Sequence, residues 1–306
     1  MQSLWMLVAA FAFSLMGVCV KLASETYTTG EIIFFRCLIG VILIAWLMRR
    51  RGETLRTPHA ISHIKRSVFG LTALMMMFYC LSQLPLATAL TLNYMSPVWI
   101  AMILSAGAVF AGKRGPDTDR RLVVAILLSF AGVICLLQPS VSSSQLAAGL
   151  IGLISGFFTA LAYVEVRALG NLGEPENRIV FYFSALGLVL GIIWMCFTGV
   201  SQHTWLGVLL LLATGVTATI GQTAMTRAYK RGNTLLTANL QYAGIVFGCG
   251  WGILIWKDRL DWLSWSGMAM IIISGIATTL IRAREDARAA QAAAATPPEA
   301  EVHPEV

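Results

Sequence analysis

Charge is scarce in this chain. Only 12% of its 306 residues are Asp, Glu, Lys or Arg, against roughly 25% in soluble domains, while hydrophobic residues make up 57%. With a mean hydropathy of +0.74, that balance excludes an ordinary soluble domain and implies an integral membrane protein. Metal chemistry lacks its parts: there are four His, of which His59 and His63 stand four apart with no third ligand nearby, and no HExxH. Nucleophilic chemistry lacks GxSxG and any close pair of intramembrane carboxylates. The six cysteines (Cys19, Cys37, Cys80, Cys135, Cys196, Cys249) lie in apolar runs without a CxxC and read as small hydrophobes. No metal, cofactor or enzymatic activity is therefore expected. The first apolar run, 4–20, has no basic segment before it and Lys21 after it, so it reads as a retained helix, not a signal peptide.

Long apolar runs are what the sequence has in abundance. Stretches near the roughly 20 residues needed to span a bilayer fall at 4–22, 30–48, 67–83, 87–110, 121–138, 147–167, 178–198, 205–227, 234–256 and 262–281. The expected fold class is an all-α polytopic membrane protein with ten transmembrane helices. Loop charge orients it. With the N-terminus cytoplasmic, inner segments carry Arg49, Arg50, Arg51, Arg56, Lys65, Arg66, Lys113, Arg114, Arg120, Arg121, Arg167, Arg178, Arg227, Lys230, Arg231, Arg282, Arg284 and Arg288. Outer segments carry Lys21, Lys257 and Arg259. Such a bias places both termini in the cytoplasm and the protein in the inner membrane. The net charge of +7 thus reflects topogenesis and contact with lipid of the inner leaflet, not a nucleic-acid partner.

The second half echoes the first. Leu92-Asn93-Tyr94 returns as Leu240-Gln241-Tyr242, Phe34-Phe35 with Gly40 returns as Phe181-Tyr182 with Gly187, and Gly132 returns as Gly275. Five spans per copy is odd, so the second copy enters from the opposite face. The expectation is two inverted five-helix repeats, residues 1–143 and 144–282, followed by a disordered cytoplasmic tail, 283–306.

These features resemble the ten-helix, EamA-type branch of the drug/metabolite transporter superfamily. The resemblance covers about residues 4–282 and rests on the doubled plan, Glu31-Ile-Ile-Phe-Phe-Arg36, Ser96-Pro97-Val98-Trp99, and the Trp256-Lys257-Asp258-Arg259-Leu260 corner. Asp258 stands where that family usually has Glu, and Ile245 aligns with Pro97. The resemblance implies a carrier of small metabolites, often an exporter, with a central cavity between its halves. The expected function is alternating-access export of a small polar metabolite, an amino acid or related compound. The alternative is uptake or exchange of a larger nucleoside-like or vitamin-like solute.

Asn93 and Gln241 fall within about 5 Å of the midplane of a ~30 Å hydrocarbon core, where amides either bond a solute or tie helices together. With Tyr94 and Tyr242 they are the first candidate substrate-binding residues. Tyr79 and Gln222, on polar faces of the third and eighth spans, join them. So does Arg36, a charge deep in the second span that either anchors a carboxylate or snorkels outward. Glu165, an acid within a span, is the coupling candidate or else a partner of Arg167. Pro97 kinks the fourth span, as a hinge or passively. Gly244, Gly248 and Gly252 suit close packing within one chain, so a monomer is expected, with a homodimer face as the alternative.

Overall fold

Backbone N–H and C=O groups in hydrocarbon have no water to bond, so each apolar run satisfies its own by folding as a helix. The structure, a computed structural model, describes residues 2–100, 102–103, 120–137, 143–231, 237 and 240–295. All regular structure among them is helical: α1 (Trp5–Ala23), α2 (Thr29–Arg51), α3 (Ala60–Gln83), α4 (Leu86–Asn93), α5 (Arg120–Leu137), α6 (Ser143–Asn171), α7 (Glu176–Thr198), α8 (Trp205–Arg231), α9 (Ala243–Trp251) and α10 (Trp262–Ala295). Of these, α1, α2, α3, α6, α7 and α8 are each long and apolar enough to cross a bilayer. The protein is a multi-pass membrane protein. Trp205 and Trp262, 80% and 86% exposed, open α8 and α10, as aromatic side chains do at a membrane–water boundary. Lys113, Arg114 and the 104–110 portion of the fourth span lie outside the described residues. So do 296–306 of the tail, whose earlier part continues α10 as helix to Ala295.

Two elements differ from the expected boundaries. Helix α3 starts at Ala60, not near 67, so Lys65 and Arg66 belong to a helix and not to a basic loop. The reason is amphipathicity: Ile61, Ile64 and Val68 are exposed on one face while His63, Arg66 and Ser67 are buried on the other. The fourth span is interrupted. Helix α4 ends at Asn93, Tyr94 and Met95 form a turn, and helix resumes at Ser96. Pro97 explains the position, because its ring cannot accommodate the carbonyl four residues back, that of Asn93. An equivalent turn at Gln241-Tyr242 precedes α9 without a proline, tightened by Gly244 N–H to Gln241 O (3.0 Å) and Ile245 N–H to Tyr242 O (3.0 Å). At its far end α9 widens into a π-helical turn, Gly252–Trp256, that closes on Lys257 in the left-handed region (φ 54°).

The most extensive packing joins early helices to late ones: α1 with α8, α5 with α10, α3 with α6, and α2 with α7; α4 also meets α9. Glycine makes these approaches close. At the α2–α7 crossing a Cβ on Gly40 would lie 2.8 Å from Ser184 Oγ, and one on Gly187 would meet Cys37. Gly156 lets α6 reach the carbonyls released at the α4 break, where a Cβ would come within 2.9 Å of Leu92 O and 3.2 Å of Asn93 O.

Candidate functional site

A cavity sits where seven helices converge, offering the centres of water-sized spheres ≈ 100 Å³ of space, several times the ~10–15 Å³ that one water requires. Its apolar wall comes from Phe13 and Met16 of α1, Leu74 and Met77 of α3, and Met225 of α8. Its polar groups are few and convergent, as in a small-molecule site: Arg36, Arg66, Asn93, Tyr94, Thr159, Tyr163 and Gln222.

Four of the seven residues expected to bind substrate line this cavity. Asn93 is half-buried, and its Nδ2 donates to Ser155 Oγ and Thr159 Oγ1 of α6, both at 3.0 Å. Tyr94 presents its ring to the cavity and rests its hydroxyl against Gly244 of α9. Gln222 is 5% exposed, with Nε2 unpartnered among the described residues. Arg36 is 4% exposed, does not snorkel, and keeps its Nε unpartnered. Among the described residues its guanidinium makes a single polar contact, a long one to Cys37 Sγ, 3.7 Å.

The other three lie elsewhere. Gln241 is fully buried between helices, its Nε2 donating to Ser96 Oγ (2.8 Å) and its Oε1 accepting from Tyr229 OH (3.0 Å). Tyr242 is buried against Gly275 of α10. Tyr79 is 41% exposed on the outer face of α3; the face of that helix turned to the cavity carries Arg66, Gly70, Ala73, Leu74, Met77 and Leu81. Glu165, half-buried on α6, is not part of the lining. Among the described residues no group of three His, Cys, Asp or Glu is placed to hold a metal.

Arg66 and Phe183 are the functional-looking residues that sequence reasoning missed. Arg66 is 2% exposed, with Nε and Nη1 unpartnered among the described residues. Its guanidinium stacks on the Phe183 ring (4.0 Å to the centroid), which Arg36 also faces at 5.2 Å. The signal was available in the apolar spacing of Ile61, Ile64 and Val68, which extends α3 backwards past Arg66.

Polar ties close the bundle at both ends. At one end the α6–α7 turn holds Glu174, which accepts from Thr57 Oγ1 and from Arg178 Nη1 (2.9 Å) and lies 3.4 Å from His63 Nε2. Lys230 Nζ donates to the Glu174 carbonyl (2.6 Å), and Asn177 Nδ2 reaches Glu53 at 3.0 Å. Burial alone would raise the Glu174 carboxyl pKa, but hydrogen bonds from Thr57 and Arg178 and the charges of Arg178 and His63 outweigh it and hold the pKa low. At the other end Glu31 accepts from the Ser201 backbone N–H (2.6 Å) and hydroxyl (2.7 Å), and Lys21 Nζ donates to Leu84 O (2.6 Å).

A central cavity with a few convergent polar groups within a helical membrane protein suits a small-molecule carrier, and known proteins point the same way. Residues 1–138 match the model of the EamA-like transporter family. The chain is 36% identical to the pseudopaline exporter CntI of Pseudomonas aeruginosa over 269 residues, 88% of this chain and 92% of that one. The chain belongs to the EamA-like transporter family. This EamA-like protein is a transporter, not an enzyme. It is also 27% identical to an uncharacterized transporter of Helicobacter pylori, over 90% of this chain and 93% of that one. Human solute carrier family 35 member G1 is 24% identical over 90% of this chain and 77% of its own. A solved crystal structure shares the fold, with a TM-score of 0.63 at 17% identity over 93% of this chain and 98% of that one.

Proposed function

We propose that this EamA-like transporter exports a small polar metabolite, an amino acid or a related compound, across the inner membrane by alternating access. The observation that carries the reading is the central cavity, where the Gln222 amide and the Arg36 guanidinium present unpartnered, almost fully buried donors. Such donors are costly in hydrocarbon unless a solute or water accepts from them. The direction is supported by the relatives named as pseudopaline exporters.

Two inverted repeats, 1–143 and 144–282, are part of the same proposal. Advancing each helix number by five turns the α1–α8 pair into the α6–α3 pair and leaves α2–α7, α4–α9 and α5–α10 unchanged. A pseudo-two-fold axis in the membrane plane has that effect. In the proposed cycle the Glu174 ties and the Glu31–Ser201 ties open alternately, and both termini face the cytoplasm. The protein works as a monomer.

Counterflow into proteoliposomes tests the reading, using a labelled panel of amino acids and related compounds, pseudopaline included, with and without a pH gradient. Saturable flux accelerated by solute on the opposite side is the expected result. Flux that neither saturates nor responds to solute on the far side would mean a channel, and accumulation restricted to nucleoside-like or vitamin-like compounds would mean the wrong solute class.

A further inference from the structure

We infer that the transported solute carries at least two anionic groups, carboxylates, bound by Arg36 and Arg66. The inference deepens the proposed function and rests on the cavity being the solute site. Both guanidiniums line the cavity, at 4% and 2% exposure. Among the described residues no ion pair holds either one: the acids with ion pairs, Glu174 and Glu176, serve His63, Arg178 and Arg231. The two cations are also close to each other. Facing one Phe183 ring at 4.0 and 5.2 Å, their central carbons stand no more than about 9 Å apart, the most that two such contacts allow.

Two buried like charges without counter-charge are unfavourable twice over, through lost hydration and through mutual repulsion. The ring face of Phe183 offsets a part of this, since cation–π attraction is weaker than a full ion pair in a dry site. Arginine also differs from lysine in offering a planar fork of donors that suits a carboxylate. A solute with a single carboxylate leaves one guanidinium uncompensated. A solute with two neutralises the site, and its carbon skeleton lies against the apolar wall of Met77 and Met225. Gln222 Nε2 and the Asn93 carbonyl side remain to read its neutral polar groups.

The test uses the full-length protein purified in detergent and three probes of one shape: glutarate (two charges), glutaramate (one) and glutaramide (none), with inorganic phosphate as a fourth. Glutarate should raise the melting temperature. Glutaramate should need about 10- to 150-fold higher concentration for the same shift, the range for one lost hydrogen bond to a charged partner. Glutaramide should do nothing, and phosphate should act no better than glutaramate. In anion-free buffer Arg36→Gln and Arg66→Gln should each melt above the wild type, because an uncompensated buried charge has been removed, and neither should respond to glutarate. Arg66→Lys should keep a weakened response. The inference is overturned if glutaramide stabilises as well as glutarate, if phosphate alone stabilises, or if both Gln variants melt below the wild type in anion-free buffer, which would make the arginines structural. Counterflow separates this from the carrier reading: saturable flux of a neutral or monoanionic solute alone would keep the carrier and remove the dianion, whereas glutarate binding without any flux would do the reverse.

Discussion

Replacing Gln241 by Ala should weaken the fold and not the affinity for solute. The amide spans three elements, donating to Ser96 just after the α4 break and accepting from Tyr229 of α8. Neither partner has water in reach, as Ser96 is fully buried and Tyr229 is 4% exposed. Interhelical hydrogen bonds in membrane proteins contribute about 0.6 kcal/mol on average and up to about 1.7. Two such bonds, with the side-chain volume lost, bring the expected cost to about 2–4 kcal/mol. Unfolding free energy measured by titration in mixed micelles reads this directly. A cycle with Ser96→Ala should return a coupling of about 0.6–1.7 kcal/mol for that bond alone. Flux through the folded fraction should keep a normal half-saturation concentration. A variant as stable as the wild type but with a raised half-saturation would refute the reasoning and put Gln241 in contact with the solute.

Further outcomes follow from the same contacts. Because the Glu174 pKa is lowered in the folded protein, its stabilisation should be complete above the ordinary carboxyl value of about 4.3 and should drain away as pH falls through the lower native value. Melting curves from pH 7 to 3.5 should show this loss, and Glu174→Gln should abolish it. Gly191→Ala should cost about 1–3 kcal/mol, since its Cβ would stand 2.7 Å from the Phe34 Cα and 2.9 Å from its N, backbone atoms that cannot turn aside. By contrast Gly250→Ala, with nothing within 4 Å, should be neutral or stabilise by up to about 1 kcal/mol; thermal melts of both decide. If Glu165 couples proton movement to transport, Glu165→Gln should abolish flux driven by a pH gradient and spare solute exchange; unchanged gradient-driven flux would make it a partner of Arg167. A reporter active only in the cytosol should work after Val306 and fail when inserted at Ser142.

The helices were legible because hydrocarbon leaves the backbone one way to satisfy itself, and composition reports hydrocarbon directly. The polar pair Asn93-Tyr94 was legible for a similar reason: an amide at the midplane is conspicuous against Leu and Ala. Its counterpart shows where such reading stops. Gln241 stands at the matching place and depth, yet its amide is consumed by Ser96 and Tyr229, and no one-dimensional signal tells a hydroxyl facing an amide from a solute facing it. Tyr79 shows the same limit for helical faces. A polar stripe identifies a face, but which neighbour it meets depends on how α3 is rotated against α6, and here Tyr79 is turned outward. Arg66 was hidden by context, since a basic residue beside Lys65 and after a Pro-containing loop resembles topogenic charge until the exposed spacing of Ile61, Ile64 and Val68 is weighed.

The crosswise pairing of helices has a consequence for how the protein is made. Helix α1 packs chiefly on α8, α2 on α7, and α3 on α6, so no early helix finds its main neighbour until the ribosome has finished the late ones. The first half therefore waits in the bilayer with its small-residue faces and the Arg36 and Arg66 side chains uncovered. A gene truncated after α5 should yield a product recognised as incomplete by membrane proteases, while two half-genes expressed together should reconstitute the bundle. The same interlacing suits an origin by duplication: a single five-helix ancestor, inserting in both orientations, would already have made these pairs between two separate chains. On the proposed repeat, fusion would then have joined partners interlocked before they were connected.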